Sequence, residues 1–110
     1  MARNIFKGLG VALITPFTSD GNVDYKSLTR LVEYQIDNGA DFLCILATTS
    51  EAPCLSAEEK EKVKQLVIEV NRGRLPLLMG CGGNNTKAIV EELKNSDWRG
   101  IDGVLSVCPY

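Results

Sequence analysis

Two stretches of the chain, "DFLCILA" at residues 41–47 and "LPLLMG" at residues 75–80, are nearly continuous in apolar residues. A strand with one wet face alternates apolar and polar side chains, whereas a parallel strand covered on both faces has no reason to. Both stretches therefore read as doubly buried parallel strands. Two further runs have strand character, "GVALITPF" at 10–17 and "IDGVLSVCP" at 101–109. The four starts recur roughly every 30 residues, the period of a βαβ unit.

Helical patterns fill the intervals. In "VDYKSLTRLVEYQIDNGA", Leu28, Leu31, Val32 and Ile36 form an apolar stripe, with Asp24 as N-cap and Gly39 just past the C-terminus. In "LSAEEKEKVKQLVIEVNRG", Ser56 and Glu59 have capping-box spacing, and Val63, Leu66, Val67 and Val70 supply the buried stripe. Lys60, Lys62 and Lys64 read as its solvated face. A third helix follows "GGNNT", carries Ala88, Ile89 and Leu93, and stops before "SDWRG".

The order is βαβαβαβ without a linker, so one α/β domain is expected. Right-handed crossovers place every β→α turn on one edge of the sheet. Two architectures satisfy this: the first half of a (β/α)8 barrel, or a small open doubly wound sheet. A full barrel takes about 250 residues, and this chain of 110 ends just after its fourth strand. Residues 1–110 thus read as an architecture interrupted before completion.

Composition narrows the function. Twelve basic and 14 acidic side chains give a net charge of −2. No basic patch stands out, which argues against a nucleic-acid partner. No apolar run reaches the length of a membrane span, and "MARNIFKGLG" lacks a signal-peptide core, so a cytoplasmic location is expected. Cys44, Cys54, Cys81 and Cys108 form no CxxC pair and read as free thiols rather than zinc ligands. The chain has no histidine, so proton transfer must use Lys, Tyr, Thr, Cys or a carboxylate. No metal or cofactor is expected.

The β→α turns are where chemistry can sit. None holds a GxGxxG or GxxxxGK[ST] phosphate loop in the required place. Gly80, Gly82 and Gly83 permit either tight turning or close approach of an anion to a helix start. In "ATTSE", Thr48 and Thr49 stand where a strand ends, so at least one hydroxyl projects over the sheet. Such a hydroxyl either braces the turn or, with nearby N–H groups, holds a small carboxylate and passes a proton. A threonine hydroxyl does not ionise near neutral pH and needs a Tyr or Lys partner. Glu51, just before a helix, reads as structural in preference to catalytic, either accepting backbone N–H bonds or bracing the neighbouring loop. No lysine lies at a strand's C-terminal end, where a Schiff-base enzyme needs one.

The segments "GVALITPFTSDGNVDYKSL", "ILATTSEAPCLSAEEK", "GRLPLLMGCGGNNTKAIVE" and "GVLSVCPY" resemble, in that order, the N-terminal third of the dihydrodipicolinate synthases. These belong to the Schiff-base aldolase and lyase family that includes N-acetylneuraminate lyase. The resemblance implies a (β/α)8 barrel, assembled as a homotetramer, that condenses pyruvate with aspartate semialdehyde on the route to lysine. Pyruvate would be held on a lysine near the end of the sixth strand, beyond this chain. The family's GTTGE motif falls on Ala47, Thr48, Thr49, Ser50 and Glu51. Thr48 matches the proton-relay threonine and Thr49 the one at the pyruvate carboxylate. Sialic acid lyases tend to have serine at the first of these positions, so Thr48 favours the synthase.

Departures from the pattern carry expectations too. Ala47 and Ser50 replace two glycines, and Ser50 would be strained only if its position needs positive φ. The family's "TPYYN" appears as Cys108-Pro109-Tyr110, with Tyr110 matching the first, interface-packing tyrosine. The relay tyrosines, the substrate-binding arginine and the Schiff-base lysine would all follow it. The chain is therefore expected to be inactive alone, either a fragment or a remnant. Asn84 and Tyr110 match the feedback site of lysine-inhibited members, but Ala88 stands at that site's acidic position. Weak lysine feedback is expected. The rival readings are another pyruvate-dependent lyase acting on a sugar acid and a non-catalytic α/β module.

Overall fold

The structure, a computed structural model, describes residues 4–107. Its order is β1 (Gly10–Ala12), α1 (Tyr25–Asp37), β2 (Phe42–Ile45), a 3-10 turn (Ala52–Cys54), α2 (Ala57–Asn71), β3 (Leu77–Gly80), α3 (Thr86–Asn95) and β4 (Gly103–Leu105). The strands form one parallel sheet in the order β1-β2-β3-β4. A doubly wound sheet reverses its strand order at a switch point. This one adds each strand on the same side of the last, as a barrel wall does.

Strand alternation divides the sheet into two faces. Leu13, Leu43, Ile45, Leu77 and Met79 join Leu28 and Val32 of α1 and Val63 and Val67 of α2 in one core cluster. The opposite face carries Gly10, Phe42, Cys44, Leu78, Gly103 and Leu105, in register across the strands. At its lower end Phe6 meets Phe42 edge to face, with ring centroids 5.4 Å apart. Glycine makes room for this pair, since a Cβ on Gly103 would lie 2.7 Å from the Phe6 ring.

Local chemistry fixes the helix ends as expected. The Asp24 carboxylate accepts from the Ser27 N–H at 3.0 Å and the Ser27 hydroxyl at 2.7 Å. Gly39 follows the C-cap Asn38 with φ of +93°. Ser56 N–H donates to Glu59 Oε1 at 2.9 Å, and Glu59 N–H donates to Ser56 Oγ at 3.1 Å, closing the capping box. Asn85 caps α3 by accepting from the Ala88 N–H.

Three expectations need correction. The first strand is regular only over Gly10–Ala12, with one further bond from Leu13 N–H to the Cys44 carbonyl at 2.9 Å; beyond it Pro16 offers no N–H and the chain turns into an antiparallel bridge between Phe17 and Val23. The fourth pairs only over Gly103–Leu105, having a partner on one side alone; residues 108 and 109 lie outside the described range. Lys64 is not solvated: it is 3% exposed. Its ammonium donates to the Asp97 carbonyl at 2.9 Å and pairs with Glu61 at 2.9 Å, tying α2 to the connection after α3. A buried charge held this way is fully partnered.

Candidate functional site

In parallel α/β folds of this kind, reacting groups gather where the strands end and the β→α turns begin. The turn after β2 is the most elaborate such place. Leu46, buried at the strand's end, has φ of +54°, and Glu51 has φ of +57°. Left-handed backbone is unfavourable for residues with a Cβ and is concentrated at functional sites. Thr48 and Thr49 lie between these two residues, both exposed. The turn is closed by Ser50 N–H to the Ala47 carbonyl at 3.1 Å and Glu51 N–H to the Thr48 carbonyl at 2.9 Å. The N–H groups of Thr48 and Thr49 donate to no protein acceptor among the described residues. The turn thus presents two amide donors beside two hydroxyls.

Ala47 and Ser50 both have negative φ, so neither replaced glycine was needed for backbone freedom. The glycine that matters locally is Gly80 on β3, where a Cβ would lie 2.7 Å from Ala47 Cα. Ser50 is 2% exposed, and its hydroxyl donates to the Leu13 carbonyl at 2.6 Å. Glu51 is exposed; its carboxylate makes no capping bond to the 3-10 turn that follows. Pro53 lies in the first positions of that turn.

A cavity of about 290 Å³ opens at this edge, lined among others by Thr48, Pro53, Lys60, Gly82 and Leu105. A second, of about 420 Å³, lies between α2 and α3 and is lined in part by Lys60, Lys64, Cys81 and Glu92. Thr48 lines the first cavity; Thr49 and Asn84 line neither and stand exposed. Tyr110 lies outside the described residues. Cys44, Cys54 and Cys81 are free thiols. Burial raises the Cys44 pKa, while burial and the Glu92 carboxylate raise that of Cys81, so both stay protonated and poorly nucleophilic at neutral pH. Among the described residues no cluster of His, Cys, Asp and Glu has metal-binding geometry, and no helix is long and apolar enough to cross a membrane.

Sequence reasoning missed the left-handed Leu46, the Ser50 bracket and the place of Lys60 on both cavities. Leu46 continues an apolar run, so nothing in its identity marks the end of the strand. Lys60 stands one turn past the Ser56 cap, a position that helix periodicity places near the preceding turn.

The profile of the dihydrodipicolinate synthetase family matches residues 5–110. The chain belongs to this family. The 4-hydroxy-tetrahydrodipicolinate synthase of Phocaeicola vulgatus is 56% identical over 110 residues, covering 100% of this chain and 37% of that protein. The crystal structure of dihydrodipicolinate synthase from Aquifex aeolicus superposes with a TM-score of 0.86 at 43% identity, over 96% of this chain and 36% of that one. An N-acetylneuraminate lyase from Mycoplasma synoviae superposes with a TM-score of 0.84 at 33% identity, over 96% of this chain and 37% of that one. The chain therefore spans little more than a third of the length of the relatives it matches. Within the dihydrodipicolinate synthetase family, its parallel sheet and alternating helices are part of a (β/α)8 barrel.

Proposed function

We propose that residues 1–110 form the N-terminal part of a single (β/α)8 domain that condenses pyruvate with L-aspartate semialdehyde to give 4-hydroxy-tetrahydrodipicolinate. The observation that carries this reading is the turn after β2, where Thr48 and Thr49 are exposed and their N–H groups have no partner among the described residues. Backbone and hydroxyl donors in one turn suit a carboxylate, because each donor bonds the charged form without a counter-ion. Thr49 holds the pyruvate carboxylate. Thr48, on the cavity wall, passes a proton between the substrate and a tyrosine beyond this chain. The Schiff-base lysine also lies beyond it, so the 110 residues are inactive alone. Glu51, with Ala47 and Ser50, supports the turn. Tyr110 packs at a subunit interface in a cytoplasmic homotetramer.

A second reading has support in the similarity to N-acetylneuraminate lyase: cleavage of a sugar acid to release pyruvate. Thr48 favours condensation, since the sialic acid lyases tend to carry serine there. The test is to follow the reading frame past the Tyr110 codon, produce the full-length protein and assay both reactions. Turnover of pyruvate with aspartate semialdehyde is expected. Cleavage of N-acetylneuraminate without condensation overturns the choice of substrate, and a frame closing at Tyr110 supports a non-catalytic module instead.

A further inference from the structure

The geometry points to Ser50 as a positioning residue for the threonine pair, an inference that rests on the pyruvate reading above. Ser50 follows Thr49 directly and is 2% exposed. Its hydroxyl donates at 2.6 Å to the carbonyl of Leu13, a residue 37 positions earlier in the chain. Leu13 is itself fixed, 2% exposed and donating its own N–H to the Cys44 carbonyl of β2 at 2.9 Å. The bond therefore ties the turn carrying Thr48 and Thr49 to the residue just past β1, at its last backbone bond to β2.

The tie has a physical task. Leu46 and Glu51 hold left-handed conformations on either side of the threonines, and such conformations persist only where the surroundings over-determine them. Apart from its own short-range bonds, the turn has Ser50 as its long-range polar anchor among the described residues. The family motif has glycine here and makes no such bond. In this chain the serine holds the turn in register, so that the Thr49 and Thr48 hydroxyls meet pyruvate in one arrangement.

The experiment compares Ser50→Ala with Val67→Ala in the full-length protein. Val67 is a buried residue of α2 two to three turns from that helix's start and makes none of the turn's hydrogen bonds, so its truncation perturbs the core while leaving those bonds in place. At a temperature well below either midpoint, Ser50→Ala is expected to lower kcat/KM for pyruvate about tenfold, chiefly through KM, as carboxylate positioning loosens. Val67→Ala is expected to keep wild-type KM and kcat. An unchanged pyruvate KM in Ser50→Ala, or an equal rise in Val67→Ala, overturns the inference. Should Ser50→Ala not fold, Ser50→Gly, the family's own residue, is expected to show the same loss; wild-type KM in that variant overturns it equally. Borohydride trapping of pyruvate on the unsubstituted protein separates the two levels. An adduct with unchanged Ser50→Ala kinetics overturns the role of Ser50 alone, whereas no adduct overturns the pyruvate reading beneath it.

Discussion

Thr48 and Thr49 are neighbours in a single turn, yet the proposed function gives them different tasks, and substitution separates them. Thr49→Val removes a donor to a carboxylate, so pyruvate KM should rise roughly 10- to 100-fold, the worth of a hydrogen bond to a charged group. Thr48→Val removes a relay hydroxyl, so kcat should fall by about 100-fold or more with a smaller change in KM. Steady-state kinetics of the two variants check this, and identical profiles contradict separate roles. Ala88 bears on regulation. Its methyl group stands at the start of α3, the position where the resemblance to lysine-inhibited members implies a carboxylate, so an α-amino ligand at such a site would lack an ionic partner. Inhibition by lysine should be weak or absent, and submillimolar potency contradicts this. The place of the threonine pair, exposed just past β2, was legible in the sequence because polar residues that break an apolar run mark a strand's end. The Ser50 bracket was not, because its partner is a backbone carbonyl 37 residues away, and a carbonyl carries no sequence signal.

At the scale of elements, caps decide where helices begin, and they are the most readable part of the chain. Ser56 and Glu59 close their capping box as the S-x-x-E spacing predicts. Ser56→Ala should lower stability by about 1 kcal/mol, measured as a lower thermal midpoint. Asp24 adds a pH dependence. Bonds from the Ser27 N–H and hydroxyl, helped by Arg30, hold its carboxyl below the ordinary value. A depressed carboxylate stabilises the fold above its unfolded pKa and loses that contribution as pH falls through the folded value. Asp24→Ala should therefore lower the thermal midpoint near neutral pH and change it little in strong acid; an equal loss at both contradicts the assignment. Strand ends were less readable, because pairing depends on neighbours that local pattern does not contain. β1 stops at Ala12 although apolar residues continue to Phe17. Lys64 was misread for a related reason: periodicity put it on the polar side, and the Asp97 carbonyl that receives it comes from a distant connection.

For the molecule as a whole, the parallel sheet of the described residues has two edges, β1 and β4, each paired on one side only among them. Leu9, Ile14, Val104, Leu105 and Val107 remain exposed near them. Unpaired edges with apolar surroundings template association, so residues 1–110 produced alone should form associated species in size-exclusion chromatography. A monodisperse monomer contradicts that expectation. The parallel α/β architecture was legible from the βαβ period and the doubly buried middle strands, because both follow from how a parallel sheet must be covered. The choice against a doubly wound sheet needed the strand order, which hydrophobic pattern does not encode. The central claim is that the turn after β2 belongs to a site that holds pyruvate for covalent chemistry. Its most direct measurement is borohydride reduction of the full-length protein in the presence of pyruvate, followed by intact mass. The account predicts an adduct of one pyruvate less one water plus two hydrogens per subunit, strongly diminished in Thr49→Val at low pyruvate. No adduct on the unsubstituted protein contradicts it.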